Sequence, residues 1–429
     1  MIMRNGIRVG LAMVAAAAVV TGCASARPQQ AGAPAPVITR GVAAIEPAAD
    51  PRPLAAADTA FGLDVLRAWC AQYPDKNLVF SPSTLASALG MAYLGARGTT
   101  AQDMAGVLHL PATSGDELAA ELQARSASLG RLDSPGVTLA ASNQVWADPA
   151  LPPLRGYLNA VATGYGAGLA QAPFATDPQR AADEINNAIA DATRGHISKL
   201  VTPDMIANMG WVLTSALYMN AAWATPFDPH QTNADSFTLA GGHQVTAKFM
   251  SGNGFRFAAA GGWQAVSLPY KGGKLTMTAL LPPSGSGTCA LPSQAALRTM
   301  TATLNGPGGR LDTALVALPR VSLDTQGSVG DMEPVLKKLG MSLAFSGAAN
   351  FTALSLKACC IGFVQQAATL QVGEKGTVAA AAAAVGILPS SAMIAVHSIR
   401  FDRPYLMLVT DTATGEPLFL AKVADPTAS

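Results

Sequence analysis

The chain of 429 residues is short of charge, because Asp, Glu, Lys and Arg make up only 13% of it, against about a quarter in ordinary soluble proteins. The charges also nearly cancel, with 28 basic and 27 acidic residues. A balanced surface gives no basis for a nucleic-acid partner or for electrostatic attraction to an anionic membrane. The hydrophobic fraction of 50% is raised by alanine and reflects compositional bias more than a very large core.

The motifs of common catalytic and metal sites are absent as well. There is no G-x-S-x-G nucleophile motif, which argues against a hydrolase of that type. No C-x-x-C pair occurs, so zinc and thioredoxin-like sites have no support. The histidines at positions 109, 196, 230, 243 and 397 lack metal-ligand spacing. We therefore expect no metal, no cofactor and no enzymatic activity.

Cysteine is scarce, with five residues. Apart from Cys23, these are Cys70, Cys289, Cys359 and Cys360. The adjacent Cys359 and Cys360 would point to opposite faces of a strand, which disfavours a bond between them. Export would permit a disulfide, but we expect buried free thiols.

The N-terminus resembles a bacterial export signal. Arg4 and Arg8 precede an apolar run from Val9 to Val20, which is too short to span a membrane comfortably. Val20-Thr21-Gly22-Cys23 is similar to a lipobox, whose cysteine becomes lipidated, and an ordinary signal with a chance cysteine is the alternative. Ala24 in place of Asp favours the outer membrane if the source is Gram-negative. We expect residues 1–22 to be removed, which leaves 26 basic and 27 acidic residues on a chain anchored in the cell envelope, either periplasmic or at the surface, or extracellular.

Residues 23–57 are rich in alanine and proline. Prolines at positions 28, 34, 36, 47, 51 and 53 predict that this segment forms neither a helix nor a central strand. We expect a semi-extended tether between the lipid and a folded domain at residues 58–429. The length of that domain would allow two domains, but no second linker and no internal repeat supports a division.

The patterning changes from helices to strands along the domain. Helices are predicted over residues 61–73, 83–94, 154–164, 178–192 and 335–343, with Asp58 or Thr59 capping the first and Ser83 the second. Strands are predicted over residues 77–80, 137–146, 211–223, 236–249, 264–269, 275–281, 315–323, 363–372, 403–410 and 417–423. The last two strands flank a polar turn and predict a hairpin. This order is typical of an α+β domain with one large sheet system.

The stretch from Glu374 to Ser391 has an unusual composition. Six alanines follow Gly376-Thr377-Val378, and no charge or proline occurs between Gly376 and Leu388. Exposed loops normally carry polar turn-formers, and core helices carry a stripe of large apolar residues. An alanine-rich helix is the alternative in isolation. The composition suits a segment that is exposed at one time and buried as a strand at another.

Several motifs together resemble the serpin family. Residues 77–84 (NLVFSPST) are similar to its central strand-to-helix segment, and residues 93–100 (YLGARGTT) to the turn after it. Ala222-Trp223 with residues 226–229 (PFDP) is similar to the stretch after the third strand of its main sheet. Residues 401–405 (FDRPY) and 417–426 (PLFLAKVADP) are similar to its C-terminal signature. The resemblance implies a serpin fold, with a helix-rich N-terminal half, large β-sheets and an exposed reactive-centre loop.

The resemblance also implies a mechanism of protease inhibition. In inhibitory serpins a protease cleaves the loop, which then inserts into the main sheet and carries the acylated protease with it. Insertion would begin at Thr377 and place alternate residues on opposite faces. The implied hinge comprises Glu374, Gly376, Thr377, Val378, Ala379, Ala380, Ala381 and Ala382.

The family's spacing implies a reactive bond between Ser390 and Ser391, fourteen residues on when Thr377 is counted first. Pro389-Ser390 would suit elastase-like or subtilisin-like serine proteases. Leu388 and Met393 are rival cleavage positions that would suit chymotrypsin-like proteases. Papain-like cysteine proteases are a further expected target class. We expect a monomer that contacts the membrane through its N-terminal lipid and binds no nucleic acid.

Further site residues follow from the resemblance. Trp223 is similar to the tryptophan below the point of loop insertion, and Arg320 stands where Glu374 has its usual basic partner. Ser215 and Gln366 replace an asparagine and a histidine that serpins commonly place beneath the sheet. We expect Ser81, Thr84, Ser215 and Gln366 to form an alternative hydrogen-bonded cluster that controls strand separation.

The alternative function is that of a non-inhibitory serpin, acting as a binding or scaffold protein at the surface. Such members tend to carry bulky, charged or proline residues in the hinge. The segment from Gly376 to Leu388 lacks charge and proline, and six of its thirteen residues are alanine. The hinge composition therefore favours inhibition.

Overall fold

A computed structural model describes residues 36–207, 209–306, 312–325, 330–377 and 396–428. Among these residues the helices are α1 (Arg52–Cys70), α2 (Pro82–Gly95), α3 (Gly98–Val107), α4 (Gly115–Leu129), α5 (Arg155–Tyr165), α6 (Pro178–Ala192), α7 (Pro203–Ile206), α8 (Gln294–Asn305) and α9 (Glu333–Leu336). No helix in these ranges combines the length and the apolar character needed to cross a membrane.

Within the described ranges, one sheet has seven strands and is mixed. Its spatial order is β1-β4-β3-β5-β13-β12-β11. The strands are β1 (Val37–Thr39), β3 (Val137–Ala147), β4 (Leu169–Gln171), β5 (Trp211–Ala222), β11 (Val321–Thr325), β12 (Phe363–Gly373) and β13 (Gly376–Thr377). β5 and β12 run parallel, and β13 is antiparallel to both.

The other sheet has nine strands among the residues that the structure describes, in the order β14-β10-β7-β8-β9-β15-β16-β2, with β6 paired to β7. The strands are β2 (Leu78–Phe80), β6 (Asn233–Thr238), β7 (Gln244–Ala260), β8 (Trp263–Pro269), β9 (Leu275–Leu281), β10 (Thr313–Pro319), β14 (His397–Arg400), β15 (Tyr405–Asp411) and β16 (Pro417–Val423). The predicted C-terminal hairpin is confirmed by the antiparallel pairing of β15 with β16.

A hydrophobic core lies between the two sheets. Leu217 and Met219 of β5 and Leu370 of β12 belong to the same cluster of buried side chains as Val266 of β8 and Met277 of β9. Nearly every residue of α2 is buried, because this helix packs on both β5 and β16. Its N-cap is Ser81, whose hydroxyl accepts a hydrogen bond from the Thr84 amide, and not Ser83 as predicted. The α+β serpin fold expected from the sequence is thereby formed.

The N-terminal segment is more ordered than the predicted tether. Strand β1 adds to the edge of the seven-stranded sheet, and α1 begins nine residues before the predicted start at residue 61. The expectation that proline prevents a helix up to residue 57 is wrong, because Pro51 and Pro53 lie at the N-cap and in the first turn, where a missing backbone N–H does no harm. The predicted cap is also wrong, since Asp58 is buried inside the helix.

Three predicted elements are divided in the structure. The strand predicted over residues 236–249 is the hairpin of β6 and β7. The strand predicted over residues 315–323 is two strands, because the chain leaves the nine-stranded sheet after Pro319 and joins the seven-stranded sheet at Val321. The helix predicted over residues 335–343 continues from α9 as irregular turns through Phe345, with Gly340 at a φ of +117°.

The expectation of free thiols is wrong for Cys70 and Cys289, which form a disulfide across 219 residues of sequence, with their Cα atoms 5.7 Å apart. The bond joins the end of α1 to the segment before α8, two places that only the tertiary structure brings together. Cys359 and Cys360 are free, but they are exposed or half-buried in the loop before β12, and their sulfurs lie 2.9 Å apart.

A buried ionic cluster connects the N-terminal helices to the C-terminal hairpin. Arg125 of α4 donates hydrogen bonds to Asp58 of α1 at 2.7 Å and to Ser87 of α2 at 3.1 Å. Glu416, at the turn between β15 and β16, is 1% exposed. Burial raises the pKa of Asp58 against the opposing charge of Arg125, and burial followed by repulsion from Asp58 raises the pKa of Glu416 well above its ordinary value.

Candidate functional site

The two central strands of the seven-stranded sheet, β5 and β12, pair directly at one end and are separated at the other. Residues Phe363–Thr369 of β12 pair directly with Val212–Tyr218 of β5. Further along, the two-residue strand β13 lies between them, with Thr377 paired to both Val372 and Ala221. The first residue of the predicted insertion is thus already a sheet residue.

A two-residue turn, Glu374-Lys375, leads from β12 into β13. The backbone amide of Trp223 donates to the carbonyl of Lys375 at 2.9 Å, and that of Phe227 donates to the carbonyl of Glu374 at 2.9 Å. The Trp223 indole donates to the carbonyl of Gly373 at 2.9 Å and stacks on Tyr270, with ring centres 4.4 Å apart. The predicted tryptophan therefore lies directly below the turn and fixes it.

The carboxylate of Glu374 is held from two sides. Arg320 donates to it through Nε at 2.7 Å, and Thr232 through its hydroxyl at 2.6 Å. Burial opposes ionisation of Glu374, but these hydrogen bonds outweigh burial and hold the pKa of the carboxyl below its ordinary value. Arg320 reaches this position because it is the residue between β10 and β11, where the chain changes sheets. The predicted pairing of Arg320 with Glu374 is confirmed.

Gly376 and Thr377 fit their positions for different reasons. Gly376 has a φ of +148°, and a Cβ on it would lie 2.1 Å from the carbonyl oxygen of Ala221, so a larger residue cannot occupy this position without displacing the strand. The Thr377 hydroxyl lies 2.6 Å from the phenol oxygen of Tyr270 in a buried hydrogen bond. Burial raises the pKa of Tyr270, so the phenol is neutral and able to donate.

The cluster predicted beneath the sheet is formed in part. The Ser215 hydroxyl donates to the Thr84 hydroxyl at 2.8 Å, and Ser81 accepts from the Thr84 amide at 3.3 Å. Gln366 lies beside Ser215 in the β5–β12 register and is fully buried. Its amide oxygen and nitrogen have no hydrogen-bond partner among the residues that the structure describes. Three of the four predicted residues are linked, and Gln366 is their unpaired neighbour.

We expect Gln366→Met to stabilise the uncleaved protein by about 1–3 kcal/mol, because it removes a buried amide without partners and keeps the side-chain size. The same change should slow strand separation and increase the fraction of molecules that a protease cleaves without being trapped. Urea unfolding followed by tryptophan fluorescence measures the first effect. Gln371→Met is the matched control, since Gln371 lies on the same strand but is exposed. Equal stability of the two variants would contradict the prediction.

The register of β5 and β12 stays constant across the parted region. Where the strands pair directly, partners differ by 151 in residue number, as Phe363 and Val212 do (363 − 212). Across β13 the neighbours Val372 and Ala221, both paired to Thr377, also differ by 151 (372 − 221). A strand that continued from Thr377 would meet both neighbours in their present alignment. Its insertion requires lateral separation of β5 and β12 and no sliding.

Several predicted residues lie outside the described part of the chain. These are Cys23, the hinge residues Val378, Ala379, Ala380, Ala381 and Ala382, the reactive bond Ser390–Ser391, and the rival positions Leu388 and Met393.

Sequence reasoning missed two residues of the site. Thr232 precedes β6 and reaches Glu374, and Tyr270 follows β8 and holds Thr377. Neither belongs to the motifs that carried the resemblance. The strand patterns could place each residue at a strand end, but no local signal indicates that these two ends meet at the hinge.

Comparison with known proteins gives one consistent result. The family model described as Serpin (serine protease inhibitor) matches residues 56–426. Iripin-2 of Ixodes ricinus is 31% identical over 375 residues, which cover 86% of this chain and 93% of that protein. The leukocyte elastase inhibitor of Bos taurus is 28% identical over 384 residues, which cover 87% of this chain and 99% of that protein.

The structural comparison agrees with the sequence comparison. The crystal structure of human thyroxine-binding globulin superposes with a TM-score of 0.75 at 25% identity, covering 89% of this chain and 100% of that one.

Proposed function

Because this chain belongs to the serpin family, a family of protease inhibitors rather than enzymes, we propose that it inhibits serine proteases as a suicide substrate. A protease cleaves the reactive-centre loop and forms an acyl-enzyme. The hinge segment then inserts as a strand between β5 and β12, and the attached protease is trapped before deacylation.

The observation that carries this proposal is β13, which lies between β5 and β12 in a register that needs no sliding. Continuing that register puts Ala379 between Leu370 and Met219, and Ala381 between Ala368 and Leu217. These neighbours face the core between the sheets, where small side chains fit without displacing packed groups.

The energetics favour insertion once the loop is cut. Each inserted residue can pair with both neighbouring strands, and a backbone hydrogen bond contributes about 0.5–1.5 kcal/mol net. Summed over the twelve residues of the segment 377–388, the gain is about 6–18 kcal/mol, which is comparable with the stability of a typical domain. No charge or proline occurs in this segment to oppose the pairing.

We place the reactive bond at Ser390–Ser391, which suits proteases with a small specificity pocket. The similarity to a protein named as a leukocyte elastase inhibitor supports an elastase-like target, and subtilisin-like proteases have the same preference. Cleavage after Leu388 or Met393 would instead indicate chymotrypsin-like targets. Papain-like cysteine proteases form the same kind of acyl intermediate and complete the target class.

A ligand-binding role is the second candidate, because human thyroxine-binding globulin, named for its ligand, shares the fold. The alanine-rich hinge argues for inhibition, since a binding protein does not need a segment fitted for insertion.

The test is incubation of the protein with elastase, subtilisin and chymotrypsin, followed by denaturing gels. We expect an SDS-stable adduct with at least one of them, and mass spectrometry of the released C-terminal fragment identifies the cleaved bond. The cleaved protein should melt at a markedly higher temperature than the intact one. Cleavage without an adduct, and without a rise in melting temperature, would refute inhibition by insertion.

We also propose that residues 1–22 are removed and that Cys23 carries a lipid, which anchors the chain in the cell envelope. The basic n-region, the short apolar run and the lipobox-like Val20-Thr21-Gly22-Cys23 support this location.

A further inference from the structure

The ordered N-terminal segment presents an apolar surface, here called the strap (residues 37–48). Of the large hydrophobic side chains that are exposed in the described part of the chain, four lie in the strap: Val37 at 66%, Ile38 at 42%, Val42 at 67% and Ile45 at 98%. Single exposed apolar residues are ordinary, but a strip of chain with four large ones within nine consecutive residues indicates a contact surface.

The strip carries almost no charge. Its other exposed positions are Ala43, Ala44, Pro47 and Ala48, and only Arg40 among the exposed residues of the strap is charged. Over this length of chain such a composition is unfavourable in water, and it is compatible with the boundary of a lipid bilayer.

The strap is also fixed to the domain, so it is not a loose tail. Strand β1 pairs with β4, and the amides of Val42 and Ala44 donate to Asn159 and Thr163 of α5 at 2.9 and 2.8 Å. Gln123 of α4 donates to the carbonyl of Ala44 at 3.0 Å. The backbone of the strap is therefore bound to the domain, while its large apolar side chains remain exposed.

We propose that the strap lies on the lipid bilayer that anchors the chain, with Val37, Ile38, Val42 and Ile45 in the interfacial region. This inference rests on the lipidation of Cys23 proposed above. Val37 lies fourteen positions after Cys23, which allows a span of at most about 50 Å. A lipid on Cys23 thus keeps the strap within reach of the membrane. The contact would orient the β1 edge of the seven-stranded sheet towards the bilayer and cover an edge strand that is otherwise open to pairing.

Tryptophan fluorescence can test this contact, because the five native tryptophans are all buried: Trp69, Trp146, Trp211, Trp223 and Trp263 are at most 5% exposed. The full lipidated chain with Ile45→Trp is reconstituted into phosphatidylcholine vesicles whose acyl chains are brominated near the headgroup. Leu315→Trp is the matched control, since Leu315 is 46% exposed and lies on β10 of the nine-stranded sheet, whereas the strap lies at the edge of the seven-stranded sheet. We expect brominated lipid to remove most of the emission added by I45W and to leave that of L315W unchanged.

Each other outcome overturns the proposal. Unquenched emission from I45W on membrane-bound protein means that the strap does not touch lipid. Equal quenching of I45W and L315W means that the domain has no defined orientation. A blue shift of I45W emission that depends on protein concentration in lipid-free detergent means that a second copy covers the strap. If mass spectrometry shows that the N-terminal peptide carries no lipid, the chain lacks the anchor on which the contact depends.

Adduct formation with protease, measured on the same preparations, shows that the variants are folded. It also separates failure of this proposal from failure of the inhibitory function, since a chain that traps protease with an unquenched strap retains the function and loses only the membrane contact.

Discussion

Thr377→Arg is expected to abolish the SDS-stable adduct while the loop remains cleavable. Thr377 is fully buried between Val372 and Ala221, with its hydroxyl on Tyr270. An arginine there would bury an unpaired charge at a cost of several kcal/mol, so residue 377 would leave the sheet and insertion would lose the short strand from which it starts. A loss of about 3 kcal/mol corresponds to a roughly 100-fold shift from trapped towards released protease. Titration of elastase activity against the variant, with gel densitometry of the adduct, measures this ratio.

Val378→Arg is the matched control for this prediction. Strand alternation puts position 378 of the inserted hinge on the opposite face, next to the exposed Gln371 and the half-buried Asn220. A long charged side chain can extend into water from that face. The adduct should therefore survive in V378R. If T377R still traps protease, or if both variants lose trapping equally, the register of the proposed insertion is wrong.

Arg125→Met is expected to lower the free energy of unfolding by about 3–5 kcal/mol, because removal of one partner leaves buried carboxyls without a counter-charge. Arg125 and Asp58 are 2% and 1% exposed, and Glu416 is equally buried beside them. Urea unfolding at neutral pH measures the loss. Arg52→Met, which breaks the exposed pair of Arg52 with Asp50, should have no measurable effect. Similar unfolding curves for R125M and R52M would contradict the role assigned to this cluster.

The same cluster predicts a pH dependence of stability. Burial raises the pKa of both Asp58 and Glu416, so the folded chain binds these protons more tightly than the unfolded chain. The stabilising contribution is then complete below the ordinary carboxyl pKa, 4.5 for Glu416, and is lost as pH rises through the higher folded value. Glu416→Gln imitates the protonated carboxyl, so its free energy of unfolding should fall less with rising pH than that of the parent. Parallel pH profiles would show that Glu416 does not hold a proton in the folded state.

Much of the fold could be predicted because the local sequence pattern of many segments matches the element that they form in the folded chain. α6, β9 and β16 begin and end at their predicted residues, since each has a clear period and clear boundary residues. The meeting of Trp223, Arg320 and Glu374 could be anticipated from the resemblance alone. Each of these residues stands at a position that the resemblance itself assigns to the hinge, so its place followed without knowledge of the strand pairings.

The remaining features depend on long-range geometry. Apolar alternation continues through Pro319 and Val321, and only the sheet pairings show that the chain has changed sheets. The disulfide between Cys70 and Cys289 joins segments without a shared motif. Residue type alone could not show that the amide of Gln366 is unpaired. A glutamine is able to hydrogen-bond to Ser215 and Thr84, and whether it does depends on the distances between these side chains in the folded chain.

The constant offset between β5 and β12 also bears on how long an uncleaved molecule lasts. On the proposed mechanism, insertion can proceed residue by residue from β13. A partly inserted strand of any length pairs in register with both β5 and β12. The active form then persists through the slowness of its rearrangement and not through the depth of its free-energy minimum. Such a molecule loses its active form spontaneously at a finite rate. Its spontaneous loss without any protease should accelerate steeply on warming, by about 3–6-fold per 10 °C if the opening step behaves like unfolding.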